Sequence, residues 1–139
     1  MSYLDNEYKY IVAVFSKVEN GILFNAANHA ILGLGSLQHD ALFLDYKTND
    51  EKLVSKISKW PIIVLKTDRQ ALLKKLHVEA GAKSLPVNTF TMQMIGESAE
   101  DQLKATQAVD FEDAKILAVS VFCKQDDLSD ITKKMSLFK

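Results

Sequence analysis

Asn25, Asn28 and His29 lie three and four residues apart in the segment Asn20–Gly35, NGILFNAANHAILGLG, a spacing suited to joint chemistry. On a helix, an asparagine amide four residues before a histidine reaches the ring across one turn. It can then fix the imidazole tautomer, and an imidazole so held serves as a general acid or base near neutral pH. At about 100° per residue, Gly21, Asn25, Asn28, His29, Leu32 and Ser36 share one helix face. The remainder, Ile22, Leu23, Phe24, Ala26, Ala27, Ala30, Ile31 and Leu34, is apolar enough to bury against a sheet. A polar stripe on an apolar helix must be hydrogen-bonded, hydrated or used. His29 is therefore the candidate catalytic residue, and Asn25, Asn28 and His29 are candidate ligand contacts. The competing account has the asparagines bonding nearby backbone while His29 rests on a wet helix face.

A second set of polar residues lies in Leu85–Ile95, which alternates: Phe90, Met92 and Met94 point one way, Thr89, Thr91 and Gln93 the other. Thr89 and Thr91 are expected to line the same cleft as His29, although a merely solvated strand face has the same pattern. Glu97 has no second carboxylate at useful spacing and reads as a surface acid. Cys123 closes a long apolar run and is expected to be an inert, buried thiol, with no neighbouring histidine or helix start to lower its pKa. His39 and His77 lack partners in sequence, and with a single cysteine they offer no zinc spacing, so no metal and no cofactor is expected. Gly33-Leu-Gly35 falls at a helix end rather than between a strand and a helix start. It is not a phosphate cradle, and no dinucleotide fingerprint or P-loop is present.

Composition narrows the function classes. The chain has 139 residues, enough for one domain with a sizeable core, and 47% hydrophobic with 25% charged residues is an ordinary globular balance. A formal charge of −1 leaves no footprint for nucleic acid, and Lys133, Lys134 and Lys139 are diluted by Asp126, Asp127 and Asp130. No apolar run approaches the roughly 20 residues that span a bilayer, and Met1–Glu7 has neither the basic start nor the apolar core of a signal peptide. The lone cysteine suits a reducing compartment. The expectation is a soluble cytoplasmic protein with an unknown small-molecule partner and no membrane.

The elements that would position these groups alternate. Tyr10–Phe15 reads as a buried strand, and Asn20 as the N-cap of a helix over Gly21–Leu37. Ala41–Tyr46 is a short strand; Leu53, Val54 and Ile57 suggest a short helix over Asn49–Lys59. Trp60–Leu65 is a third strand, with Pro61 confined to its start or to an edge. Thr67-Asp-Arg-Gln70 has the form of a capping box, opening a helix that Gly81 would end. Ser98 starts a helix to about Ala108, Ala114–Cys123 is a central strand, and a last helix over Leu128–Lys134 precedes a short apolar end. This order predicts an α/β three-layer sandwich, a mixed β-sheet with helices on both faces. Residues 1–8 form an N-terminal extension and 9–139 a single domain.

The strand, then Asn20-Gly21, then a helix carrying Ala26-Ala27-Asn28-His29-Ala30, resembles the opening of type II peptidyl-tRNA hydrolases. Pro61–Lys66 with its capped Leu-rich helix, and Asp126–Phe138, resemble their later blocks. The Gly-x-x-x-Asn-Ala-Ala pattern at Gly21–Ala27, the strand near Ala41–Tyr46 and the helix near Ser98–Ala108 are more similar still to the related domain-of-unknown-function 2000 family. This resemblance covers about residues 9–139 and implies a peptidyl-tRNA hydrolase II-like fold. The hydrolase pattern departs at the site: Ile22 stands where a lysine is expected, Ala26 replaces a glutamine, Asn28 replaces a serine, and only His29 is kept. The aspartate segment that follows the third strand in the hydrolases has no clean counterpart. Three readings follow: a small-ligand-binding protein without tRNA hydrolysis, an ester or amide hydrolase acting on aminoacyl or peptidyl conjugates through His29, and a homodimeric interaction protein paired through apolar helix faces.

Overall fold

The structure is a computed structural model and describes residues 7–38 and 42–139. Its main sheet has the order β5–β6–β1–β4–β7. At the centre are the two most apolar runs, β1 (Tyr8–Phe15) and β6 (Ile116–Lys124), which pair antiparallel. Side chains from Tyr10 to Phe15 and from Ile116 to Val121 are all buried, so both strands are covered on both faces. The expected interior position of the Ala114–Cys123 run is thus observed. β4 (Ile62–Thr67) runs parallel to β1 on the other side, with Pro61 placed just before it, where its missing N–H costs no ladder bond. β5 (Val87–Thr91) flanks β6, and the two-residue β7 (Ser136–Leu137) flanks β4. The result is a mixed α/β protein with a mixed sheet.

Two helices cover the sheet. α1 (Asn20–Ser36) buries Leu23, Ala26, Ala30 and Leu34 against β6, β5 and β1. The alanines let its backbone come close. Asn20 is the first helical residue rather than the cap: the residue before it, Glu19, is extended and makes no capping side-chain bond. α2 (Gln70–Ala82) buries Leu72, Leu73, Leu76 and Ala80 on the other face. Its expected capping box does not close. Thr67 Oγ1 accepts from the Arg69 N–H instead, and the Gln70 amide crosses to β6, donating to Ile116 O at 2.7 Å and accepting its N–H at 2.9 Å. The helix also runs past Gly81, and Ser84 takes the left-handed conformation, φ 56°, that ends it.

Two further expectations give way. Residues 49–59 are not helical. β2 (Phe43–Lys47) and β3 (Val54–Ser58) form a separate antiparallel hairpin. Its turn is locked by Thr48 Oγ1 donating to Asp50 Oδ1 (2.8 Å), by Asp50 Oδ1 accepting the Lys52 N–H (3.2 Å), and by Glu51 at φ 57°. These local bonds outcompete a helical turn there. The strand expected over Leu85–Ile95 stops at Thr91, where the register with β6 shifts, and Met92–Met94 form a 3-10 turn. Past it, α3 (Ala99–Gln107) begins with Ser98 Oγ accepting the Asp101 N–H at 3.1 Å, as its sequence suggests. α4 is a single turn, Ser129–Thr132.

Candidate functional site

β5 forms one edge of the sheet, and what lies on its two faces decides where the polar residues go. Asn88 donates its amide to Ala30 O of α1 at 2.9 Å, while the next residue, Thr89, contacts His77 of α2. Period-two alternation therefore puts Asn88 and Phe90 under α1 and Thr89 and Thr91 on the α2 side. The Asn88 contact also seats the helix. Ser120 Oγ, fully buried on β6, donates to the same carbonyl at 2.7 Å, and Gly33 leaves the space that the Asn88 amide occupies. A Cβ at residue 33 would lie 2.2 Å from Asn88 Nδ2.

So held, α1 presents Asn25 and His29 to a cleft of about 600 Å³ that α3 closes from the far side. Phe90, Met94, Ile95 and Leu103 make its apolar surface; Asn25, His29, Gln102 and Thr106 supply polar groups. Among the described residues, no carboxylate, ammonium or guanidinium lines it. The His29 ring stacks on Phe90 with centroids 5.2 Å apart and planes 12° from parallel. Gln102 donates one N–H to Gly96 O at 3.0 Å, and the Thr106 hydroxyl donates to Gln102 O at 2.8 Å, which orders the α3 wall.

The expected hydrogen bond from Asn25 to His29 is absent among the described residues, so Phe90 packing rather than an amide orients the imidazole. Asn28 is exposed on α1 outside the lining of the cleft. Thr89 and Thr91 are not in this cleft either, because they point to the opposite sheet face. They line a second cleft of about 330 Å³ with His77, Asp110 and Phe111. The two clefts straddle the sheet edge and share Met94 and Thr106.

His77, which has no partner in sequence, is the residue that sequence reasoning missed. Its Nδ1 is 2.7 Å from Thr89 Oγ1 and its ring packs on Phe111 at 5.5 Å. Burial lowers its pKa from the ordinary 6.5, which favours the neutral ring at pH 7. The available signal was its position one residue past Leu76 at the rim of the buried α2 stripe, but only the strand order brings it to Thr89. Cys123 is buried, and that burial raises its thiol to about 11, as befits an inert thiol. His39 lies outside the described residues. Among those described, no group of three histidine, cysteine or acidic side chains is placed to hold a metal ion, and no helix is long and apolar enough to cross a membrane.

Residues 8–139 match the family model described as "Protein of unknown function (DUF2000)". No curated protein matches the chain. Among solved structures, it is similar to that of Atu0240, a protein of unknown function from Agrobacterium tumefaciens str. C58. The TM-score is 0.81 at 18% identity, over 96% of this chain and 98% of that one. At that identity the likeness shows a shared fold.

Proposed function

We propose, from the premise that the chain belongs to the DUF2000 family, that it binds a small, uncharged ligand in the Asn25–His29 cleft and does not hydrolyse peptidyl-tRNA. The observation that carries this reading is a cleft of about 600 Å³ whose only ionisable lining side chain among the described residues is His29. That volume falls in the range of about 300–1,000 Å³ typical of small-molecule sites. Among the described residues no Asp, Glu, Lys or Arg lines the cleft to offset the hydration that an ionised ligand would lose on entering it. The parallel His29–Phe90 pair offers a flat ring edge, and Asn25 and Gln102 offer amides, so a planar group bearing an amide suits the cleft.

Against hydrolysis stand the two positions where the resemblance to peptidyl-tRNA hydrolases calls for lysine and glutamine. Ala26 is buried in the α1–sheet interface and Ile22 packs at the edge of the core, so neither brings a polar group to His29. The peptidyl-tRNA hydrolase II-like topology and the single domain over 9–139 belong to the same proposal.

N-acetyl-phenylalaninamide, a neutral molecule with two amide groups and one planar ring, is the probe of choice. Ligand-observed NMR should detect its binding at affinities near about 1 mM. The signal should vanish in Asn25→Ala and His29→Ala. Equal binding by those variants would overturn the assignment of the site, and turnover of peptidyl-tRNA above about 1 s⁻¹ would overturn the non-hydrolytic reading.

A further inference from the structure

The β2–β3 hairpin is a two-sided ribbon that stands out from the body, with large apolar side chains half-exposed on both faces. Its register pairs Phe43 with Ser58, Leu44 with Ile57, Asp45 with Lys56 and Tyr46 with Ser55, and directly paired residues share a face. One face carries Phe43 with Ser58, the Asp45–Lys56 ion pair and Lys47 with Val54, and its apolar residues Phe43 and Val54 are separated by that ion pair. This side leans on the body: Phe43 and Ser58 line a small cavity with Tyr10, Ile31 and Ile62. By the same alternation the other face gathers Leu42, Leu44, Tyr46, Leu53 and Ile57, each between 42% and 57% exposed. A lone two-stranded hairpin is marginal in water, and this one shows its apolar side to solvent.

We propose that this face packs on the same face of a second copy of the chain, giving a homodimer whose two hairpins stack across a two-fold axis. The proposal is independent of the ligand reading. Five large side chains, each with roughly half of its surface exposed and a total on the order of 200 Å², present about 500 Å² of apolar surface. A standard interface removes about 800 Å² per partner, about 65% of it apolar in homodimers, a demand of about 520 Å². One copy of the ribbon thus supplies most of the apolar surface that half of a stable dimer needs. An isologous contact asks only that the patch be complementary to itself; its polar members are Ser55 opposite Tyr46 and, at its two ends, Lys59 opposite Leu42 and Thr48 opposite Leu53. Asp45 and Lys56 pair with each other on the opposite face, so their charges are not desolvated by the contact. The formal charge of −1 adds little repulsion between copies.

Sedimentation velocity on the full chain at about 100 µM should give twice the monomer mass. Leu44→Glu combined with Ile57→Glu should give a monomer with an unchanged far-UV circular dichroism spectrum. Leu32→Glu, 76% exposed on α1, should remain dimeric. Amide hydrogen exchange on the unmodified chain reads the same contact without any variant, since β2 and β3 amides should become protected as concentration rises. A monomeric wild type, a dimeric double variant, a dimer dissolved by Leu32→Glu, or hairpin amides indifferent to concentration would each overturn the proposal.

Discussion

Gly33→Ala should destabilise the protein, opposite to the usual effect of this change inside a helix. Replacing a mid-helical glycine with alanine ordinarily stabilises by about 1 kcal/mol. At this position the new Cβ would lie 2.2 Å from Asn88 Nδ2 and 3.1 Å from Asn88 Cγ, so the amide has to move. Moving it breaks the 2.9 Å bond to Ala30 O and leaves a half-buried amide unpaired, a cost of about 1–3 kcal/mol. Forcing the side chain off its rotamer adds about 0.5–1.5 kcal/mol. Subtracting the helix gain leaves a net loss of about 0.5–3.5 kcal/mol, read by urea unfolding. The melting temperature should fall by roughly 4 °C for each kcal/mol at this chain length. Adding Asn88→Ala removes the obstacle, so the double variant should be no less stable than Asn88→Ala alone. A Gly33→Ala protein as stable as wild type, or a cycle additive within about 0.5 kcal/mol, would refute the close seating of α1 on β5.

The exposed His29 ring touches Phe90 without a hydrogen bond, so His29→Ala should cost under ~1 kcal/mol in the same assay while removing probe binding. A larger loss would make the residue structural. For His77, burial lowers the folded-state pKa below the ordinary 6.5, so as pH falls the unfolded chain takes up this proton first. Its contribution to stability is full above 6.5 and declines below it. The melting temperature should therefore drop more between pH 7.5 and pH 5.5 in wild type than in His77→Asn, and equal drops would contradict the assignment. Cys123, with its thiol raised to about 11, should resist a thiol-disulfide reagent at pH 8 in the native state and react once urea unfolds the chain; rapid native labelling would contradict its burial.

Where a segment's periodicity is decided by its own burial, it was legible. Tyr10–Phe15 and Ile116–Cys123 are apolar on both faces, which only an interior strand satisfies, and the α1 stripe Leu23–Ala26–Ala30–Leu34 repeats at helical spacing. Asn25 and His29 could be paired from that spacing alone. The hairpin was not legible because Leu53, Val54 and Ile57 fit a helix as well as a strand; the Thr48–Asp50 turn decided between them. Nor was the separation of Thr89 and Thr91 from His29. Alternation within β5 says that Thr89 and Phe90 oppose each other, but not which helix covers which side. That depends on long-range contacts between α1, α2 and an edge strand far away in sequence. The His77–Thr89 pair and the Gln70 clamp on Ile116 were hidden for the same reason.

An NMR titration of isotope-labelled protein with N-acetyl-phenylalaninamide, carried to about 10 mM so as to pass weak millimolar affinities, tests the ligand-binding reading most directly. Saturable shifts are expected at the backbone amides of Asn25, His29, Phe90, Gly96 and Gln102, which border the α1–α3 cleft, and they should disappear in His29→Ala. Shifts confined to His77, Thr89 and Phe111, or none across the titration, would contradict it.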